Sequence, residues 1–214
     1  MNTKLIDPTE LHRVVFLELI KDLNTSIVGH VKAFDPETQY VQFQPGINQR
    51  IDGEQVPHDI LINVPVFIYG DSDYFIENQI LPNTEGVVFF SQRCIDNWKN
   101  SGGLADNLIR GTHGFNDGMF FPGVRSQPNK ISNHANDGIR LRNKSGNQFI
   151  WLKRDGGIQF SSSYTEFNTG DFTVNANNFN VNADSFTHNN IDVGESHNHG
   201  GVDRGSGNTD PANA

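Results

Sequence analysis

The stretch Gly170-Asp171-Phe172-Thr173-Val174-Asn175-Ala176-Asn177-Asn178-Phe179-Asn180-Val181-Asn182-Ala183-Asp184-Ser185-Phe186-Thr187-His188-Asn189-Asn190 decides the fold. Phe172, Phe179 and Phe186 are seven residues apart, and Val174/Val181 and Ala176/Ala183 follow in step, so the unit is Phe-x-Val-x-Ala-x-x. A seven-residue period belongs first to coiled coils. Here two facts oppose a helix. Inside each unit the apolar residues alternate with period two, the strand signal. The residues between them are Asn, Thr, Asp and Ser, which are poor helix formers. The pattern predicts a five-residue strand, a two-residue turn, then the next strand.

Each such strand offers one large, one medium and one small residue on its inner face. Stacked repeats must bury these faces against neighbours. An intertwined β-prism of three chains does so: each chain supplies a wall, and Phe, Val and Ala fill the axis. Burying one Phe is worth roughly 1.5–3 kcal/mol. The alternative is a single-chain β-solenoid, which usually needs more and longer coils. His188 falls where the repeat places Val174 and Val181. It therefore points inward to its symmetry mates, or faces solvent if the prism is already tapering.

Just beyond the repeat comes Ser196-His197-Asn198-His199-Gly200-Gly201. Two histidines one residue apart on a strand point to the same face. Three chains around one axis offer six imidazoles, which suit an octahedral transition metal and overfill tetrahedral zinc. The plain alternative is a pair of solvated histidines in a Gly-rich tail. Imidazole suits iron, nickel, copper and zinc alike. Gly200-Gly201 lets the backbone turn sharply and keeps an apex narrow. Neutral histidines bring no charge to balance an ion, so an outer acceptor is expected, with Glu195 or Asn198 as candidates.

Composition points to an assembly component. The chain has 214 residues, Lys+Arg 16 against Asp+Glu 25, and a formal net charge of -9. That acidity opposes nucleic-acid binding. No run approaches ~18 apolar residues, the length of a membrane-spanning helix. The N-terminus turns polar at once, so no signal peptide and assembly in a host cytoplasm are expected. Cys94 is alone and reads as a small core residue. His113 with Asp117, and His134 with Asp137, lack a nucleophile or oxyanion device; they read as loop hydrogen-bonding groups, and no enzyme is expected.

The chain reads as mainly β. Residues 1–25 form an N-terminal helix: Asp7-Pro8-Thr9-Glu10 combines an N-cap acid, Pro at the first turn and Glu at the third position. Residues 26–98 form an OB-like barrel, with strands expected at 26–34, 39–44, 60–69, 74–76 and 86–91. Its aromatics have too few Lys and Arg beside them for oligonucleotide binding, so a docking role is expected. Residues 99–138, rich in Gly and Asn, form an extended connector. Residues 139–201 form the trimeric β-helix, opening with short strands at Ile139–Arg142, Phe149–Lys153 and Gly157–Ser161. Residues 202–214 form a polar C-terminal tail.

Read together, Ser91-Gln92-Arg93-Cys94-Ile95-Asp96-Asn97-Trp98 at the end of an OB-like domain, the repeat, and terminal Ser196-His197-Asn198-His199-Gly200-Gly201-Val202 resemble the gpV-like central spikes of contractile phage tails. The resemblance implies a homotrimeric, membrane-piercing needle on the virion, at the tip of the tail baseplate. It would be seated on tail hub proteins and aimed at the host outer membrane. It further implies one iron ion, Fe2+ as first choice, held near the apex by His197 and His199 of all three chains; another transition metal also fits imidazole. The alternative function is a short trimeric tail fibre or adhesin that binds a cell-surface glycan, although such proteins end in a broad aromatic head.

Overall fold

The computed structural model describes residues 7–21, 23–107 and 111–194. The fold is mainly β with a short N-terminal helix. The chain forms two compact units, one up to Phe160 and one from Ser161. The helix α1 (Pro8–Lys21) starts as its sequence dictates. The Asp7 carboxylate accepts the Thr9 N–H at 3.0 Å, satisfying one of the free donors of the first turn. Its apolar residues, among them Leu11, Val15, Phe16 and Leu19, are exposed.

The next strands are β1 (Ser26–Asp35), β2 (Tyr40–Pro45), β3 (Gln49–Ile51), β4 (Glu54–Val56), β5 (Leu61–Pro65), β6 (Glu85–Phe90) and β7 (Gly118–Pro122). Five of them build one sheet in the order β5-β2-β1-β6-β7, each neighbouring pair antiparallel. The sheet curls into a half-barrel. Its two edges meet through a single parallel bridge, Val66 to Phe120, and the Phe67 N–H donates to the Phe120 carbonyl at 2.8 Å. Strand alternation aims Val31, Val41, Phe43, Val88, Phe90 and Phe120 into one core, and a bulge in β5 at Asn63, with φ of 54°, turns both Leu61 and Val64 into it. The Phe43 and Phe120 rings meet there at 5.3 Å between centroids.

Curling needs strands that approach closely. Gly29 of β1 pairs directly with Gly86 of β6. A Cβ on Gly29 would run into the Gln44 carbonyl oxygen and come within 2.7 Å of the Phe43 ring. A Cβ on Gly86 would strike the Phe121 carbonyl oxygen and the Phe120 ring. The two glycines therefore mark the crease of the sheet.

Two strand assignments change. The expected strand at 74–76 makes only an isolated bridge, Gly70 to Phe75. There Asp71 Oδ1 accepts the N–H groups of Asp73 and Tyr74 at 2.8 and 2.9 Å, and this local turn replaces a ladder. The fifth strand comes instead from β7, inside the 99–138 segment expected as an extended connector. Its pairing with β6 from Gly86–Pro122 to Phe90–Gly118 outweighs the Gly-rich flanks. The sequence reading did not include helix α2 (Asp96–Ser101), which straddles the boundary expected between residues 98 and 99. Nor did it include the β3–β4 hairpin, although Asp52-Gly53, with φ of 49° and 90°, is a two-residue turn of the type that twists with its strands.

A second sheet has β8 (Gly138–Arg142), β9 (Phe149–Lys153) and β10 (Ile158–Ser161) in the order β10-β9-β8, where strands were expected. On one face Arg140 lies over Phe149 and Trp151, and Lys153 over Trp151 at 4.8 Å. Arg140 and Arg142 also donate to the Asn133 carbonyl, so the preceding loop is tied to these side chains. On the other face Ile139 opposes Leu152 and Leu141 opposes Ile150. All four are exposed.

In the second unit the repeat residues Phe172, Val174, Phe179, Val181 and Phe186 are exposed. Among the described residues, no in-chain ladder forms between Ser163 and Ser185. The unit then closes on a hairpin of β11 (Thr187–His188) and β12 (Ile191–Asp192), turned by Asn189 and Asn190 at φ of 49° and 64°.

Two outcomes test this account. Gly29→Val and Gly86→Val should each lower the stability of the half-barrel by about 3 kcal/mol, through overpacking against fixed backbone. A urea titration should show the midpoint falling with the slope kept. The second outcome depends on pH. Glu85 accepts the Ser126 N–H, the Ser126 hydroxyl and the Asn129 amide, each at 2.7 Å. These bonds, the Ser126 N–H foremost, hold its carboxyl below the usual glutamate range. A depressed carboxylate stabilises above its unfolded pKa and ceases to do so as pH falls through the folded one. The protection of the Ser126 amide, its exchange rate corrected for the intrinsic pH dependence, should therefore be full at neutral pH and fall as the pH drops through the carboxylate range.

Candidate functional site

His197 and His199, with Glu195 and Asn198, lie outside the described residues. The described chain leads towards them through the terminal hairpin. Val193 N–H donates to the Phe186 carbonyl at 2.8 Å, extending the hairpin one step beyond its strands. His188 pairs across it with Ile191 and is exposed in the single chain.

A groove of about 770 Å³ opens beside the half-barrel. Phe34, Phe67, Phe75, Ile80, Leu81 and Pro122 supply its apolar walls. Asp71 and Glu77 are the charged residues among those lining it, and no Lys or Arg is. Phosphate backbones are held by Lys and Arg, so this surface is unsuited to nucleic acid.

Three potential metal ligands do meet elsewhere: Cys94, Asp96 and Asp117, with ligand atoms all within 4.8 Å of one another. Their chemistry is that of a staple. Asp117 is buried, and its Oδ1 accepts the Ile95 N–H at 3.0 Å, so it fixes the chain where α2 begins. Asp96 is paired with Lys99 at 2.9 Å, and that contact first of all holds its carboxyl low. The Asp96 N–H favours the Cys94 thiolate, but burial and the Asp117 and Asp96 carboxylates outweigh it and push the thiol up. Cys94, expected in the core, is only half-buried; it stands 3.6 Å from Asp96 Oδ2.

Of the histidine–aspartate pairs, His113 and Asp117 share one turn. Asp117 takes the backbone donor, while the His113 carbonyl accepts the Asn24 amide at 3.0 Å. His134 and Asp137 are exposed. Asp117 is thus a loop hydrogen-bonding group, as its sequence suggests; its partner Ile95 lies far back in the chain, where no spacing signal points to it.

Residues 27–123 match the family described as the phage protein Gp138 N-terminal domain. The match begins in β1 and ends just past β7, so it spans the half-barrel with its fifth strand. No curated protein matches the chain. The similarity supports a phage structural protein, related to the tail or baseplate.

Asp117→Ala should cost about 1–3 kcal/mol by stranding a backbone donor. Asp117→Asn, which keeps an acceptor oxygen, should cost less. Thermal melts of the two variants, compared with the unsubstituted protein, read the difference.

Proposed function

We propose that the chain is the central spike of a contractile phage tail, a homotrimer that pierces the host outer membrane. The observation that carries this reading is the coexistence in one chain of two features. A half-barrel similar to a phage structural domain is followed by a run of exposed Phe and Val at a seven-residue period. A monomer has no use for such a surface, because exposed apolar patches beyond a few hundred Å² mark interaction sites.

The division of labour follows the chain. The half-barrel, as an OB-like domain, docks on the tail hub, and residues 139–201 form the needle. The role is mechanical, not catalytic. A contracting sheath drives a tube, and the tube needs a hard, narrow point. Wound chains slide apart only by breaking many backbone hydrogen bonds at once. The last turn has neighbours on one side only, so the apex is the place that frays.

His197 and His199 close that gap. Six neutral imidazoles from three chains fit an octahedral transition metal, with iron(II) preferred over zinc on ligand number and over copper on geometry. A metal bound there cross-links the chains, and its binding energy counts as folding energy. Glu195 or Asn198 would accept the free ring N–H and fix each imidazole.

Elemental analysis of purified protein should give one metal per three chains. His197→Ala combined with His199→Ala should abolish it while the particle keeps its trimeric mass. One metal per chain would overturn the shared apex.

A further inference from the structure

The charges of this chain are unevenly spread. Five of its 16 Lys and Arg fall between Gly138 and Arg154, and none of its 25 Asp and Glu does. That stretch is the β8–β9 hairpin with its turn and the residue that follows. It is a cationic island in a chain of net charge -9. Arg140, Arg142, Lys144, Lys153 and Arg154 make no ion pair with a described carboxylate. Asp155, next in sequence, accepts the Gly157 N–H instead.

The five differ in what they touch. Arg142 donates to the carbonyls of Ser132, Asn133, Asn143 and Lys144 at 3.0–3.1 Å, so its fork is largely filled. Arg140 donates to the Asn133 carbonyl at 2.9 Å and lies over Phe149 and Trp151. Carbonyls satisfy these donors without neutralising the charge. In the same stack Arg140 Nε and Trp151 Nε1 are enclosed with no acceptor, so donors are in surplus. Lys144 in the turn and Arg154 past β9 are exposed, and Lys153 holds its ammonium over Trp151.

A single carboxylate is best read by free arginine forks converging on it. Here two of the three forks are taken by backbone. The remaining cations do not converge. Arg142 pairs with Phe149 at the turn end and Gly138 with Lys153 at the other, so Lys144 stands at one end of the hairpin and Lys153 and Arg154 at the opposite end. Trp151 is already engaged by two cations, which disfavours stacking on a nucleobase. Lysines act as point charges, by number rather than geometry, and suit an extended array of phosphates. Clusters of about 4–8 Lys and Arg are drawn to anionic lipid surfaces. Tryptophan beside cations is typical of membrane interfaces. The acidity elsewhere in the chain is screened beyond about 8 Å at physiological salt.

We propose that the β8–β9 hairpin is a contact site for the phosphate headgroups of an anionic lipid surface. This rests on the membrane-piercing role above for the presence of a membrane, and adds a second point of contact, chemically unlike the histidine apex.

The test floats the full-length protein with vesicles of phosphatidylcholine, alone or with about a third phosphatidylglycerol. The protein should rise with the anionic vesicles, stay behind with the neutral ones, and be released by about 0.5 M salt. Lys144→Glu with Arg154→Glu should lower the partition coefficient about tenfold or more. Lys32→Glu with Arg50→Glu, the same change of charge on other strands, should leave it within about twofold. Failure of the unsubstituted protein to float with anionic vesicles, equal flotation with neutral ones, or equal loss in the two double variants would overturn the site. Tighter retention of a single-stranded oligonucleotide or of polyglutamate would overturn it too, in favour of a nucleic acid or an acidic protein. The spike reading is judged separately, by trimeric mass and metal content, and survives any of these failures.

Discussion

The half-barrel depends on a steric allowance at its crease. Where Gly29 faces Gly86, four strands come so close that no Cβ fits on either residue: β2 crowds Gly29 of β1, and β7 crowds Gly86 of β6. That closeness lets β1 bend between β2 and β6, and the bend brings the far ends of the sheet together at Val66 and Phe120. The same bend sends Phe43 from one side and Phe120 from the other into a single core. A flat sheet of these sequences would leave the two rings apart, and Phe67 would lose its backbone partner. Features further along hang on this frame. Asp117, just before β7, anchors the start of α2, and Glu85 holds the chain just after β7.

Beyond the half-barrel the balance reverses. In the β8–β10 sheet the strands pair within the chain but one face of side chains stays exposed, and in the repeat, among the described residues, neither a ladder nor a cover forms. Such a chain has settled its local geometry without settling its burial. The exposure of Phe172, Phe179 and Phe186 is unfavourable, and the polar residues between them confine the apolar side chains to alternate positions.

Much of this was legible in the residues. The Asp7 cap, the alternation of Tyr40–Pro45, and the short strands near Ile139, Phe149 and Ile158 each carry a local signal that the structure keeps. What escaped notice depended on contacts distant in sequence or on weak local marks. Gly118-Met119-Phe120-Phe121-Pro122 is a strand because β6 is there to pair with it, and its glycine-rich surroundings read as a linker. Tyr74-Phe75-Ile76 has strand composition, yet Asp71 captures the backbone locally. Asp117 reads from the sequence as a loop hydrogen-bonding group and is one, but its partner, Ile95, lies far back in the chain and carries no local mark. The histidine pair was legible only through spacing and neighbours, and it lies outside the described residues.

The core of the half-barrel is assembled wholly from its own chain. Its folding is therefore unimolecular and indifferent to dilution. Strands that gain their partners from other molecules obey a higher-order rate law, slow when chains are scarce and steep in concentration. The half-barrel can therefore be complete while the repeat is still without cover. Holding half-barrels close together would raise the local concentration of the repeats and speed any encounter between them.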